Sequence, residues 1–229
     1  MSGRAVQDAE WEQIERGLSL SEKTYARLKQ IIISGDLKPG QPINEIDLAR
    51  RLGISRSPLR ETLRQLREEG LVEASGRGLR VAPVTRRGVI ELYELRLALE
   101  SFAARRAAGR IARQDIDAAQ AELEATAEPL ARGDVWPFTN LDFQFHDLYV
   151  RNCGNSVVVD RIARLRDHLR RIWRHVGIRV DHTELAFREH HAILDAMRSG
   201  DPARLQGAVE RHIAAVGERV ASCVRNAEE

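Results

Sequence analysis

The sequence predicts a mainly α-helical chain in two parts: a small unit of three helices and a hairpin over residues 19–85, then an all-α helical bundle over 87–225. Two patterns predict this. Before residue 85, helical apolar spacing gives way to two short alternating runs around Gly76-Arg77-Gly78, the pattern of two strands and a turn. From Arg87 onward the apolar residues recur only at helical spacing. Charge and histidine are also unevenly spread along the chain. Residues 19–85 carry 12 basic and 8 acidic side chains, 86–229 carry 22 of each, and all seven histidines lie at or beyond His146. A basic front and a histidine-bearing back imply two parts with different tasks.

Composition bounds the class. A chain that is 43% hydrophobic and 31% charged can bury a core in water. It has no apolar run long enough to span a bilayer, and its polar first residues do not read as a signal peptide, so a cytoplasmic protein with no membrane partner is expected. Residues 1–18 read as a mobile N-terminal arm. Cys153 and Cys223 sit in no metal-ligand spacing and read as thiols.

In the first part, Tyr25, Leu28, Ile31 and Ile32 mark a helix that Gly35 can end. A Gly- and Pro-rich turn follows. Asn44, with Asp47 three residues on, caps a short helix ended by Gly53. Ser55 or Ser57 caps the next helix, about 56–69, with Pro58 tolerated in its first turn. On that helix Leu59, Leu63 and Leu66 share one face, and Arg56, Arg60 and Arg64 share another. A helix held down by leucines with arginines outward is either a solvated face or an element for the major groove. The preceding short helix and the following hairpin favour the groove. There, arginine pairs with guanine O6 and N7 for about 1–3 kcal/mol of discrimination per pair. Arg77 at the hairpin tip would meet phosphate or the minor groove.

The second part reads as helical blocks near 87–109, 114–132, 135–152, 156–176, 183–199 and 202–225. Four residues there stand on apolar stripes: Asp142 with His146 one turn later, His190 beside Phe187 and Leu194, and His212 beside Val209 and Val216. They are either satisfied core residues or the ligands of one divalent metal site. Mixed N and O donors suit zinc, nickel, iron or manganese. Arg96 shares a stripe with Leu92 and Leu99 and needs an anion. That anion is either internal, Asp142 or Glu100, or a ligand carboxylate.

The run GISRSPLRETLRQLREEGLV and the hairpin after it resemble the winged helix-turn-helix of the GntR superfamily of transcriptional regulators. The resemblance implies double-stranded DNA contacts at Ser55, Arg56, Ser57 and Arg60, and at Arg77 and Gly78 on the wing, with Arg64 on the same face as the arginines. Where some members carry an arginine before the turn, this chain has Ile46. ELRLALE, Asp142 to His146, EHHAILDAMRSGD and ERHI resemble the FCD ligand-binding domain of the FadR subfamily, and six blocks resemble its VanR-like branch. That likeness implies a metal on Asp142, His146, His190 and His212, and an organic-acid effector held with the help of Arg96. The expectation is a homodimeric repressor on a near-palindromic operator. The alternatives are a hydrolase-like metalloenzyme or an architectural DNA-binding protein with an inert bundle.

Overall fold

A computed structural model describes residues 19–76 and 78–224. The proposed arm at 1–18 and Arg77 lie outside the described residues.

Helix α1 (Leu20–Ser34) starts at a capping box. Ser19 accepts from the Glu22 amide, and the Glu22 carboxylate accepts from the Ser19 amide. Strand β1 (Pro42–Ile43) precedes α2 (Glu45–Leu52), which Asn44 caps through the Ile46 and Asp47 amides. Gly53, at φ 66°, makes the left-handed turn into α3 (Arg56–Glu68), a conformation costly for any residue with a Cβ. Strands β2 (Val72–Ser75) and β3 (Gly78–Val81) pair antiparallel with Ser75 opposite Gly78, and β1 joins the other edge of β3. β1 is absent from the sequence expectation, which has a turn there. Two residues carry no period, and they become a strand only because β3 supplies an edge. Leu28, Ile32, Leu59, Leu63, Leu66 and Val81 close this unit's own core.

The rest is helical: α4 (Arg86–Ala107), α5 (Arg113–Glu124), α6 (Ala127–Ala131), α7 (Trp136–Asn152), α8 (Ser156–Val176), α9 (Val180–Ser199) and α10 (Pro202–Cys223). Two boundaries differ from expectation. The block 114–132 is two helices, because the Pro129 ring would clash with the carbonyl of Ala125 four residues back. α9 begins three residues before the expected 183, because the break falls at Gly177, φ 78°. α4 and α10 approach closely at Gly217, where an added Cβ would lie 2.9 Å from Cβ and Cγ of Tyr93.

Helix α8 ties the two parts together. Asp167 pairs with Lys29 of α1 at 2.8 Å, and the same ammonium meets Glu69 at 3.0 Å. One turn on from Asp167, Arg171 is buried and donates to the Ala82 carbonyl in the segment leading to α4. Among the described residues no helix is long and apolar enough to cross a membrane.

Candidate functional sites

On α3, Leu59, Leu63 and Leu66 are buried while Arg56, Arg60 and Arg64 are exposed, as their phasing requires. Ser55 occupies the N-cap in extended conformation but makes no capping bond through its side chain. Ser57 lies inside the helix. Arg60 Nε donates to Glu45 at 2.8 Å, which props the guanidinium against α2, and Arg64 donates to Glu68 at 2.5 Å. Ile46 is 67% exposed beside them. Gly78 opens β3.

The bundle brings Asp142 and His146 of α7, His190 of α9 and His212 of α10 into one buried cluster, with one donor atom from each within 4.8 Å of the others. The phasing of three helices produces this. Each of these residues sits on its helix's apolar stripe, and the three stripes converge on one core. His190 Nε2 lies 3.4 Å from Asp142 Oδ1, and His146 Nε2 lies 3.8 Å from it. Asp142 Oδ2 and both ring nitrogens of His190 are buried without a hydrogen-bond partner. Unsatisfied buried polar atoms are rare, and three in one place call for an occupant. Phe145 stacks on the His190 ring at 4.1 Å, and Phe138 covers it at 5.1 Å.

Carboxylates behind the cluster set the tautomers. Glu189 accepts from His212 Nδ1 at 2.8 Å and is held by the Arg219 fork, two bonds of 2.8 Å. Glu100 accepts from His146 Nδ1 at 2.7 Å, from Arg96 Nε at 2.8 Å, and from the Tyr149 hydroxyl. In both histidines Nδ1 carries the proton, and Nε2 keeps a lone pair for the cluster. Burial holds the His190 imidazole well below the usual histidine range, and neighbouring His212, His146 and Arg96 push the same way. Burial also lowers His212, against the pull of Glu189. Burial alone would raise the Glu100 carboxyl, but Arg96 and His146 outweigh it and hold it far down. The imidazoles of His190 and His212, held low by burial, beside the Asp142 carboxylate and with the His190 nitrogens unpartnered, are a donor set that fits a divalent cation. Donors bound at about 2.0–2.2 Å are at most about 4.4 Å apart, so the widest pair would close slightly. Arg96 Nη2, 3.3 Å from His146 Nε2, would give up that contact.

Arg96 is 1% exposed and spent on Glu100. Of the two anions expected inside the protein, Glu100 one turn away takes it. It does not line the cavity that opens on the cluster. That cavity has Asp142 in its lining, apolar walls from Phe138, Trp173, Val176, Ala186, Val216 and Val220, and Arg219, His182 and Cys223 at its side. Sequence reasoning missed Glu189 and Arg219. Glu189 directly precedes His190, but nothing in one helix's period says that it turns to His212 on another.

Residues 91–215 match the FCD domain, and residues 20–81 match the bacterial regulatory proteins of the gntR family. The chain belongs to the GntR family. Like other GntR regulators it binds DNA and acts in transcription, and the family comprises regulators, not enzymes. This GntR protein is 32% identical over 179 residues to an uncharacterized HTH-type transcriptional regulator, YdhC, of Bacillus subtilis, covering 76% of this chain and 79% of the relative. It is 31% identical over 196 residues to a probable D-xylose utilization operon transcriptional repressor of Paenarthrobacter nicotinovorans, covering 80% and 81%. The solved structure of E. coli McbR/YncC shares the fold, with a TM-score of 0.69 at 21% identity over 90% of this chain and 98% of that one.

Proposed function

We propose that this GntR regulator is a cytoplasmic homodimeric repressor whose hold on a near-palindromic operator is set by a small carboxylate bound in the helical bundle beside a divalent cation. The observation that carries the reading is the trio of unpartnered buried atoms, Asp142 Oδ2 and the two nitrogens of His190, next to a cavity that Asp142 also lines. Asp142, His146, His190 and His212 would hold the cation, and the cation would supply positive charge for a carboxylate to coordinate. Arg219 borders the cavity, which Arg96 does not, but its charge is already paired with Glu189. Arg96 serves the same site from beneath, by fixing Glu100 and through it His146.

On DNA, Arg56, Arg60 and Arg64 of α3 would enter the major groove, with Ser55 and Ser57 at its phosphate edge and Arg77 and Gly78 on the wing. Two-fold symmetry of a dimer asks for two-fold symmetry in the operator. The coupling would run through α8, since Trp173 and Val176 border the cavity while Asp167 and Arg171 on the same helix grip Lys29 and the Ala82 carbonyl. An effector shifts the equilibrium only by its unequal affinity for the two arrangements, for which about 1–3 kcal/mol, or 5–150-fold in operator affinity, is the usual span.

Two measurements test this. The double variant His190→Ala, His212→Ala should lose bound metal by elemental analysis; unchanged metal content sinks the site. Arg60→Ala should weaken specific operator binding in a mobility-shift assay while the fold is kept; an unchanged shift sinks the assignment of α3.

A further inference from the structure

Resting on the effector site proposed above, we infer that the effector is a small monocarboxylate with an apolar body, aromatic or branched-aliphatic, and not a polyhydroxylated acid. The reason lies in what the polar groups around the cavity have left to offer. Thr139 and Thr183 each donate their hydroxyl proton to a carbonyl one turn back, Val135 and Arg179, both at 2.8 Å. The Arg219 fork is taken by Glu189 at 2.8 Å. Arg179 is taken by Asp181 at 2.9 and 3.1 Å, so it offers no uncompensated charge to a second carboxylate. Asp142 is the lining residue with an unpartnered buried atom, and it belongs to the cluster. Among the lining residues, unpartnered buried polar atoms are therefore confined to the Asp142 end; His182 Nδ1 faces Cys223 Sγ at 3.9 Å, and most of the remaining wall is aromatic and aliphatic.

Such a cavity sorts ligands by their bodies. A hydroxyl moved from water onto the apolar part of this wall gives up hydrogen bonds that the hydrocarbon does not return, at a cost of about tenfold or more in affinity per hydroxyl. A phenyl or isobutyl group in the same place gains about tenfold to a hundredfold from burial. Both effects act against a sugar acid and for a carboxylate with a hydrocarbon tail.

The experiment uses the full chain loaded with Zn²⁺, titrated calorimetrically with acetate, phenylacetate, 4-methylpentanoate and D-gluconate. Tryptophan fluorescence is recorded in parallel, with Trp173→Phe assigning the signal. Phenylacetate and 4-methylpentanoate should bind about 10–100-fold more tightly than acetate, with a negative heat-capacity change, and D-gluconate no more tightly than acetate. Two folded cavity-filling variants, Val216→Phe and Val220→Phe, should weaken the tailed acids and spare acetate. If D-gluconate binds as tightly as phenylacetate, the inference is overturned while the carboxylate site stands. If none of the four acids binds, or both filling variants bind phenylacetate unchanged, the site itself is refuted and the inference with it.

Discussion

Glu189 accepts the Nδ1 proton of His212 across 2.8 Å, and that bond decides which nitrogen of the ring faces the cluster. Arg219 grips the same carboxylate from the cavity side. A single carboxylate therefore joins the cavity wall to a candidate metal ligand.

Glu189→Gln should accordingly weaken metal binding. An amide oxygen is a poorer acceptor than a carboxylate, and loss of such a partner costs about 10–100-fold in affinity. Competition with a chromogenic chelator measures it. Affinity within a factor of two of the parent would mean that His212 needs no such partner.

Arg96→Ala should destabilise the protein with no effector present. Removing one member of a buried ion pair leaves the other charge uncompensated, at about 3–5 kcal/mol. Glu100 is buried and accepts three bonds at this point, so little solvent can replace the guanidinium. Urea denaturation reads the loss. A stability change below about 1 kcal/mol would return Arg96 to the role of a free clamp.

The metal-free protein should lose stability on acidification. Burial depresses His190 and His212 in the folded state, whereas in the unfolded chain both take up protons below about pH 6.5. Unfolding then consumes protons, so stability is flat above pH 6.5 and falls below it, by at most about 1.4 kcal/mol per pH unit for each histidine. Urea midpoints at pH 7.5, 6.5 and 5.5 in chelator give the slope, and His190→Gln should reduce it. An unchanged slope in that variant would show that His190 charges freely in the fold.

Gly217→Ala should lower stability although alanine is the better helix former. The propensity gain is at most about 1 kcal/mol. The new methyl would meet Tyr93 at 2.9 Å, and overpacking of this kind costs about 1–3 kcal/mol. At about 2–4 °C per kcal/mol for a chain of this size, the melting temperature should fall by a few degrees. Tyr93 also accepts the Trp173 Nε1 proton at 3.0 Å, so the variant's tryptophan emission should shift as well. A rise in melting temperature would show that α4 and α10 have slack at this crossing.

Much of the fold was legible because it is periodic. Leu59, Leu63 and Leu66 against Arg56, Arg60 and Arg64 define α3 and its two faces without any neighbour. Asn44 and Gly53 mark the ends of α2 by local hydrogen bonding and backbone freedom alone. The two-residue strand β1 and the break before Pro129 were not legible by the same means. The first borrows its order from β3. The second was visible as a proline, but a helical pattern that resumed beyond it masked the stop.

The sequence by itself determined which side chains point inward: Asp142, His146, His190 and His212 each stand on the apolar stripe of a helix, and Arg96 on another. Only the tertiary structure decided what they meet there. Glu100 takes Arg96, Glu189 turns to His212, and the cavity opens at Asp142 with Arg219 on its wall. The physical reason is that helical period sets a side chain's direction about its own axis. Which partner lies in that direction depends on how separate helices cross, and no local pattern encodes that.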